Sequence, residues 1–152
     1  MLDTIQMKIL DKRIGTEFPI PTFKTGGAAA MDIPAMIDGP IAIPPGHTAE
    51  ISAGVAIFIK DPNYVGLVIP RSGTGSKGYS LRNTIGVIDA DYQGPIIMKI
   101  RNTSHEPLHI SPGDRVAQYM IVPVLRPQIS IVDDFNETTE RGEGGFGHTG
   151  KN

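Results

Sequence analysis

The sequence contains no cysteine. Disulfides, cysteine-ligated zinc, iron–sulfur clusters and thiol nucleophiles are therefore excluded. It also lacks a long apolar run. Its first residues alternate apolar and polar positions at Ile5, Met7 and Ile9, unlike the unbroken stretch of a signal peptide, and nothing reaches membrane-spanning length. A cytoplasmic protein with no membrane partner is expected. Charge of one sign is missing too: 14 Lys and Arg face 16 Asp and Glu, for a net charge of −2. That balance gives no electrostatic basis for a nucleic-acid partner, although a single nucleotide needs only a few well-placed cations.

Room for helices is scarce. The chain has 18 glycines and 13 prolines in 152 residues. Between Gly15 and Pro127 the longest stretch free of both is 96–106. Glycine and proline each cost stability in a helix interior, so at most one or two helical turns are expected, near 73–78. What fills the gaps has strand character. Ile51, Ala53, Val55, Ile57 and Ile59 alternate with smaller or polar neighbours. Residues 65–69, 85–88, 96–100, 116–125 and 129–132 are short and rich in β-branched side chains. Turn signals at 38–40, 44–46, 61–63, 94–95 and 111–113 bound them. The length fits one domain. Many short strands at this spacing predict an all-β barrel or double sheet.

From Asn136 the apolar pattern stops, and the segment after Arg141 is dominated by glycine with one aromatic, Phe146. Such a composition buries too little surface to order itself. It reads either as a plain terminus or as a lid: glycines for close main-chain approach, Arg141 for an anion, Phe146 for stacking on a flat ring.

Four internal segments carry groups suited to chemistry. Pro70, Arg71, Ser72 and Gly73 follow an apolar run directly. A strand that ends this way offers a guanidinium fork, a hydroxyl and exposed amides, a set that suits phosphate oxygens; a surface turn with an incidental arginine is the bland alternative. Residues 83–94 read as an apolar strand running into Asp89, a turn, and a second strand from Ile96. A carboxylate there can hold a water or a metal, or simply shape the turn. Tyr92 reads as a half-buried packing residue or a ligand platform. Residues 113–118 open another apolar run; alternation places Val116 and Gln118 on one face, where a buried glutamine needs a partner. A run of small residues leads to Asp32, compatible with a structural ion pair. The four histidines are scattered; Pro107 between His105 and His109 rules out a helical zinc pair.

Taken in order, these segments resemble the five motifs of the trimeric dUTPase family over nearly the whole chain. Residues 30–33 resemble the first motif, 70–73 the second, 86–94 the third, 112–118 the fourth and 141–147 the fifth. The third and fifth are specific. Ala30, Met31, Thr74 and His148 depart from the usual pattern, but none of these changes removes a charged group. The resemblance implies a jelly-roll-like distorted β-barrel at 1–135, a flexible arm at 136–152 that closes over an active site, and a homotrimer with shared sites. It implies hydrolysis of dUTP to dUMP and pyrophosphate by water attack on the α-phosphorus, with Mg²⁺ held by phosphates and waters rather than by direct protein ligands. Asn83 and the main chain of Gly86, Val87, Ile88 and Ile97 would read uracil. Tyr92 would pack against the deoxyribose, and Asp89 would orient the water. Arg71, Ser72, Gly73 and Gln118 would hold the phosphates. Phe146 would cover the base, and Arg141, Gly147, His148 and Thr149 the outer phosphates. Asp32 would support the site by charge pairing or through a metal-bound water. A dCTP deaminase of similar fold, or a non-catalytic nucleotide-binding protein, is the alternative.

Overall fold

The computed structural model describes residues 2–145. Its strands are β1 (Gln6–Ile9), β2 (Ala30–Pro34), β3 (Ile41–Ile43), β4 (Thr48–Phe58), β5 (Tyr64–Pro70), β6 (Tyr79–Leu81), β7 (Gly86–Ile88), β8 (Pro95–Asn102), β9 (Leu108–Ile110) and β10 (Arg115–Pro123). One helical turn, α1 (Ser72–Gly75), falls where the glycine spacing left space for it.

The strands form two four-stranded antiparallel sheets, ordered β1-β4-β8-β6 and β2-β10-β5-β7, and a small pair β3-β9. The core is shared by all three. Ile51, Val55 and Ile57 of β4 and Ile96, Met98 and Ile100 of β8 meet Met31 and Ile33 of β2, Val68 of β5, and Ala117 and Tyr119 of β10. β8 shows the period-2 pattern of a half-buried strand: Ile96, Met98 and Ile100 are buried while Ile97 and Lys99 are exposed. β4 departs from it at Gly54, where φ is +71° and a side chain would strike Met36 and Ile14. The register with β8 shifts there, so the strand turns its inward face at a glycine. Asn102 is fully buried, and its amide donates to the carbonyls of Ile43 and Glu106 (2.8 and 2.7 Å).

Three expectations are corrected. Residues 129–132 form no strand: regular structure ends at Pro123, and Ile129 and Ile131 are 91% and 95% exposed. Their β-branched composition is strand-like, but among the described residues no strand edge pairs with them. The segment 85–100 is not a hydrogen-bonded hairpin. β7 pairs with β5 and β8 pairs with β4 and β6, so the two strands leave the 89–94 loop into different sheets. Lastly, Val116 and Gln118 do not share a face. The register between β10 and β2 shifts between Arg115 and Ala117; Val116 and Ala117 are both buried and Gln118 is only half-buried. A β-bulge has reset the alternation.

Tyr119 is fully buried and its hydroxyl has no hydrogen-bond partner among the described residues. Burial pushes its pKa up to about 12. The phenol lies directly over Gly66, where any Cβ would overlap it. Replacing Gly66 by alanine is expected to cost about 1–3 kcal/mol through overpacking. Tyr119→Phe removes only a hydroxyl that gains nothing from burial, and is expected to be neutral or stabilising. Urea denaturation of both variants checks the pair; a Tyr119→Phe loss as large as that of Gly66→Ala would show the hydroxyl to be bonded.

Candidate active site

Two groups of residues stand out, and they occupy different parts of the second sheet. The first gathers around Asp32. Gln118 lies directly opposite Asp32 across the β2–β10 ladder, so the two side chains share the half-exposed face. Arg71, the residue between β5 and α1, sends its side chain back across β10. Its Nε donates to Asp32 Oδ1 (2.6 Å), its Nη2 to Oδ2 (3.1 Å) and its Nη1 to the Arg115 carbonyl (2.9 Å). Arg115 Nη1 adds a further bond to Asp32 Oδ2 (3.1 Å). Asp32 thus forms ion pairs with two arginines.

Those bonds fix the chain entering α1 from one side, and its own carbonyls fix it from the other. The Arg71 carbonyl accepts from the Gly75 amide (2.9 Å) and the Thr74 hydroxyl (3.1 Å), and Gln118 Nε2 donates to the Pro70 carbonyl (2.9 Å). Ser72 and Gly73 are left exposed on the turn. Beside it is a cavity of about 250 Å³ lined by Arg71, Thr74, Lys77, Tyr79, Asp114 and Arg115. Three cations against one carboxylate make its wall electropositive, and its polar lining suits an anion. Within it the Tyr79 hydroxyl donates to the His109 carbonyl (2.9 Å); burial, then Asp114, holds its pKa above the usual phenol value.

The second group surrounds β7 and the loop after it. β7 is the edge strand of its sheet. β6 and the Arg82 amide that follows it, which donates to the Lys99 carbonyl (2.8 Å), cover β8 only along 99–102. The outer edge of Gly86–Ile88 and one edge of the β8 segment around Ile97 therefore carry main-chain groups with no ladder partner among the described residues. Asn83 sits in the turn before β7, near Gly86, and is exposed. Val87, Tyr92 and Ile97 are exposed as well, at 64%, 42% and 43%, an apolar lining around those unpaired edges. Asp89 is exposed on a loop held by its main chain: the Tyr92 amide donates to the Asp89 carbonyl (3.1 Å) and the Lys60 amide to the Ala90 carbonyl (2.8 Å). The Tyr92 ring folds over Gly94, where a Cβ would collide with it, and its hydroxyl donates to the Pro95 carbonyl (3.1 Å).

The two groups do not meet within one chain. Ile88 lies opposite Gly66, so Asp89 falls level with the start of β5, whereas Arg71 follows its end. Six residues of strand separate them, roughly 20 Å at about 3.3 Å per residue. The Arg71 guanidinium is displaced further, toward β2, three strands from β7, or about 14 Å at ~4.8 Å per strand. In the tail, Arg141 Nε donates to the Gly144 carbonyl (2.9 Å); Phe146, Gly147, His148 and Thr149 lie outside the described residues. Among the described residues no group of three His, Asp or Glu side chains is placed to hold a metal ion, and no helix is long and apolar enough to cross a membrane. Sequence reasoning missed Arg115. The sign available was the adjacent pair Val116 and Ala117, two apolar residues in a row where strict alternation allows one.

Fold and site together define a double-sheet β protein that pairs an exposed turn beside a cation-lined cavity with an unpaired, apolar-lined strand edge and an exposed carboxylate. The dUTPase family model matches residues 16–150. The deoxyuridine 5'-triphosphate nucleotidohydrolase of Glaesserella parasuis serovar 5 is 50% identical over 148 residues, covering 97% of each chain. That of a Psychrobacter species is 49% identical over 153 residues, covering 99% of each. Among solved structures, a Staphylococcus bacteriophage 80alpha dUTPase mutant with dUpNHpp superposes with a TM-score of 0.82 at 29% identity, covering 97% of this chain and 99% of the phage one. A point mutant of the dUTPase from phage phi11 of S. aureus, described with a structural Mg(II) ion, gives 0.76 at 25% identity, covering 89% and 100%. The chain belongs to the dUTPase family.

Proposed function

We propose that this protein hydrolyses dUTP to dUMP and pyrophosphate by water attack on the α-phosphorus, as a homotrimer whose sites are shared between chains. The observation that carries the shared site is the separation of Asp89 from Arg71. An attacking water must sit within hydrogen-bond reach of its base and about 3–3.5 Å from phosphorus. A carboxylate some 20 Å along β5 from the Ser72–Gly73 turn cannot serve a triphosphate seated on the same chain's turn. A second copy, offering its own turn to the first copy's Asp89, removes the conflict with closed cyclic symmetry.

The base-binding half uses the strand edges that part company after the 89–94 loop. The outward-facing main-chain groups of the Gly86–Ile88 edge and of Ile97, together with the Asn83 amide, match a donor–acceptor pattern such as that of uracil. Cytosine reverses that pattern at two positions and would leave buried groups without partners, a strong ground for rejection. The Tyr92 ring, pinned over Gly94, forms a flat wall for the deoxyribose. Asp89 accepts the proton of the attacking water as general base.

The phosphate half needs positioning and charge neutralisation more than covalent help. Ser72, Gly73, Gln118 and the two Arg71 N–H groups not spent on Asp32 and Arg115 would hold the phosphate oxygens. Arg141, Phe146, Gly147, His148 and Thr149 would close the site from the arm at 136–152. The donor set fits a Mg²⁺ carried by the substrate: Asp32 is already occupied by two guanidinium groups, and Mg²⁺ readily takes phosphate oxygens and waters as its ligands. Bound in that way, Mg²⁺ neutralises phosphate charge.

Pyrophosphate release and ammonia release, both measured with dUTP, UTP, dTTP and dCTP, with and without Mg²⁺, test the reading. Pyrophosphate release from dUTP alone, lost with chelator, is expected. Ammonia from dCTP would instead place the chain with the deaminases, and no turnover of any of the four would make it a binding protein.

A further inference from the structure

Two cations meet one carboxylate beside the phosphate turn, and only Arg71 has so far been given a task. We propose that Arg115 is a positioning residue for dUTP hydrolysis. It holds Asp32, and through Asp32 the Arg71 guanidinium, so that the turn presents Ser72 and Gly73 to the triphosphate in one arrangement.

The bulge in β10 is what puts Arg115 there. Gln118 shares the outer face with Asp32. In an unbroken strand, residue 115 would fall on the opposite face, with Ala117 and Tyr119, inside the core. The register shift between Arg115 and Ala117 turns it outward, and its Nη1 then reaches Asp32 Oδ2 at 3.1 Å. Bulges beside functional sites commonly re-aim one side chain in this way.

The contact is reciprocal. Arg115 donates to Asp32 through its side chain and accepts from Arg71 Nη1 through its carbonyl, closing a ring of three residues from β2, β10 and the end of β5. Asp32 is mostly buried, with 17% of its side chain exposed, whereas Arg115 is 56% exposed. An exposed partner of this kind adds little to folding stability. Its effect lies in orientation, since a carboxylate held by two guanidinium groups has fewer ways to sit than one held by Arg71 alone. Around metal ligands, outer-layer partners of this kind change affinity or activity by about 10- to 100-fold when lost, and the lower end of that range is expected for a guanidinium held by a carboxylate.

The inference rests on the assignment of Ser72 and Gly73 to the phosphates, and Ser72→Ala tests that separately. The variants for Arg115 are Arg115→Ala, Arg115→Gln and Arg115→Lys, each measured for KM and kcat with dUTP and for inhibition by dUMP and by a non-hydrolysable dUTP analogue. Arg115→Ala should raise KM and weaken the analogue about tenfold, with kcat and dUMP inhibition within about threefold of the parent. Arg115→Lys should recover most of the loss, because it returns a charged N–H donor to Asp32. If Arg115→Ala does not accumulate as folded protein, Arg115→Gln, which keeps a donor but no charge, should give the same split. Unchanged KM, an equal loss for dUMP and the dUTP analogue, or a lysine variant no better than alanine or glutamine would overturn the proposal. A Ser72→Ala variant with undiminished analogue affinity would mark failure of the phosphate assignment; weakened Ser72→Ala beside an unaffected Arg115→Ala would mark failure of the Arg115 role alone.

Discussion

Asp89→Ala is expected to lower kcat for dUTP by about 10³-fold, within the 10²–10⁴ range for loss of a general base, while a non-hydrolysable dUTP analogue still binds within about tenfold of its parent affinity. The variant should fold normally, because the loop is held by the carbonyls of Asp89 and Ala90 and by the Tyr92 hydroxyl, none of which the substitution removes. Asp89→Asn should be nearly as inactive: it keeps the shape and a hydrogen-bonding oxygen but cannot take a proton. Steady-state kinetics beside calorimetric titration of the analogue separate turnover from binding. Undiminished kcat in the alanine variant would remove the base from the mechanism.

Two inactive variants should restore each other when assembled together. Co-expression of Asp89→Ala chains with chains altered in the phosphate turn, such as Ser72→Ala combined with Gln118→Ala, is expected to give mixed trimers with about a third of parental activity. In a cyclic assembly each site takes its carboxylate from one chain and its turn from the next. A mixed trimer has two chains of one kind and one of the other, and in either case about one of its three sites joins an intact carboxylate to an intact turn. Differently tagged chains, purified through both tags in succession, provide the mixed species. If each site lay within a single chain, every site would carry one defect and mixing would recover nothing. The long separation along β5 favours the first result.

Much of this architecture could be read from the residues, for reasons of local physics. β4 and β8 announce themselves because one face of each is buried, so apolar side chains recur at every second position. The turn α1 falls in the one glycine-spaced loop with space for it. Asp89 and Arg71 stand out in the sequence because each follows an apolar strand, and Gln118 because it interrupts one. What stayed hidden depends on partners distant in sequence. β3 and β9 have three residues each, too few to show a period, and exist because they pair with one another. β7 and β8 look like a hairpin locally, yet each has a better partner in a different sheet. Residues 129–132 have the composition of a strand, but composition cannot supply a neighbouring edge. Arg115 was invisible because its position depends on a bulge, and a bulge contradicts the alternation used to read β10.

The stretch after Pro123 carries a cost for the unassembled chain. Leu125, Ile129, Ile131 and Phe135 are each at least 87% exposed, an oily strip on a backbone with no sheet of its own. Single chains would be sticky, and assembly into the proposed trimer would be what covers the strip. Thermal midpoints should therefore climb with protein concentration.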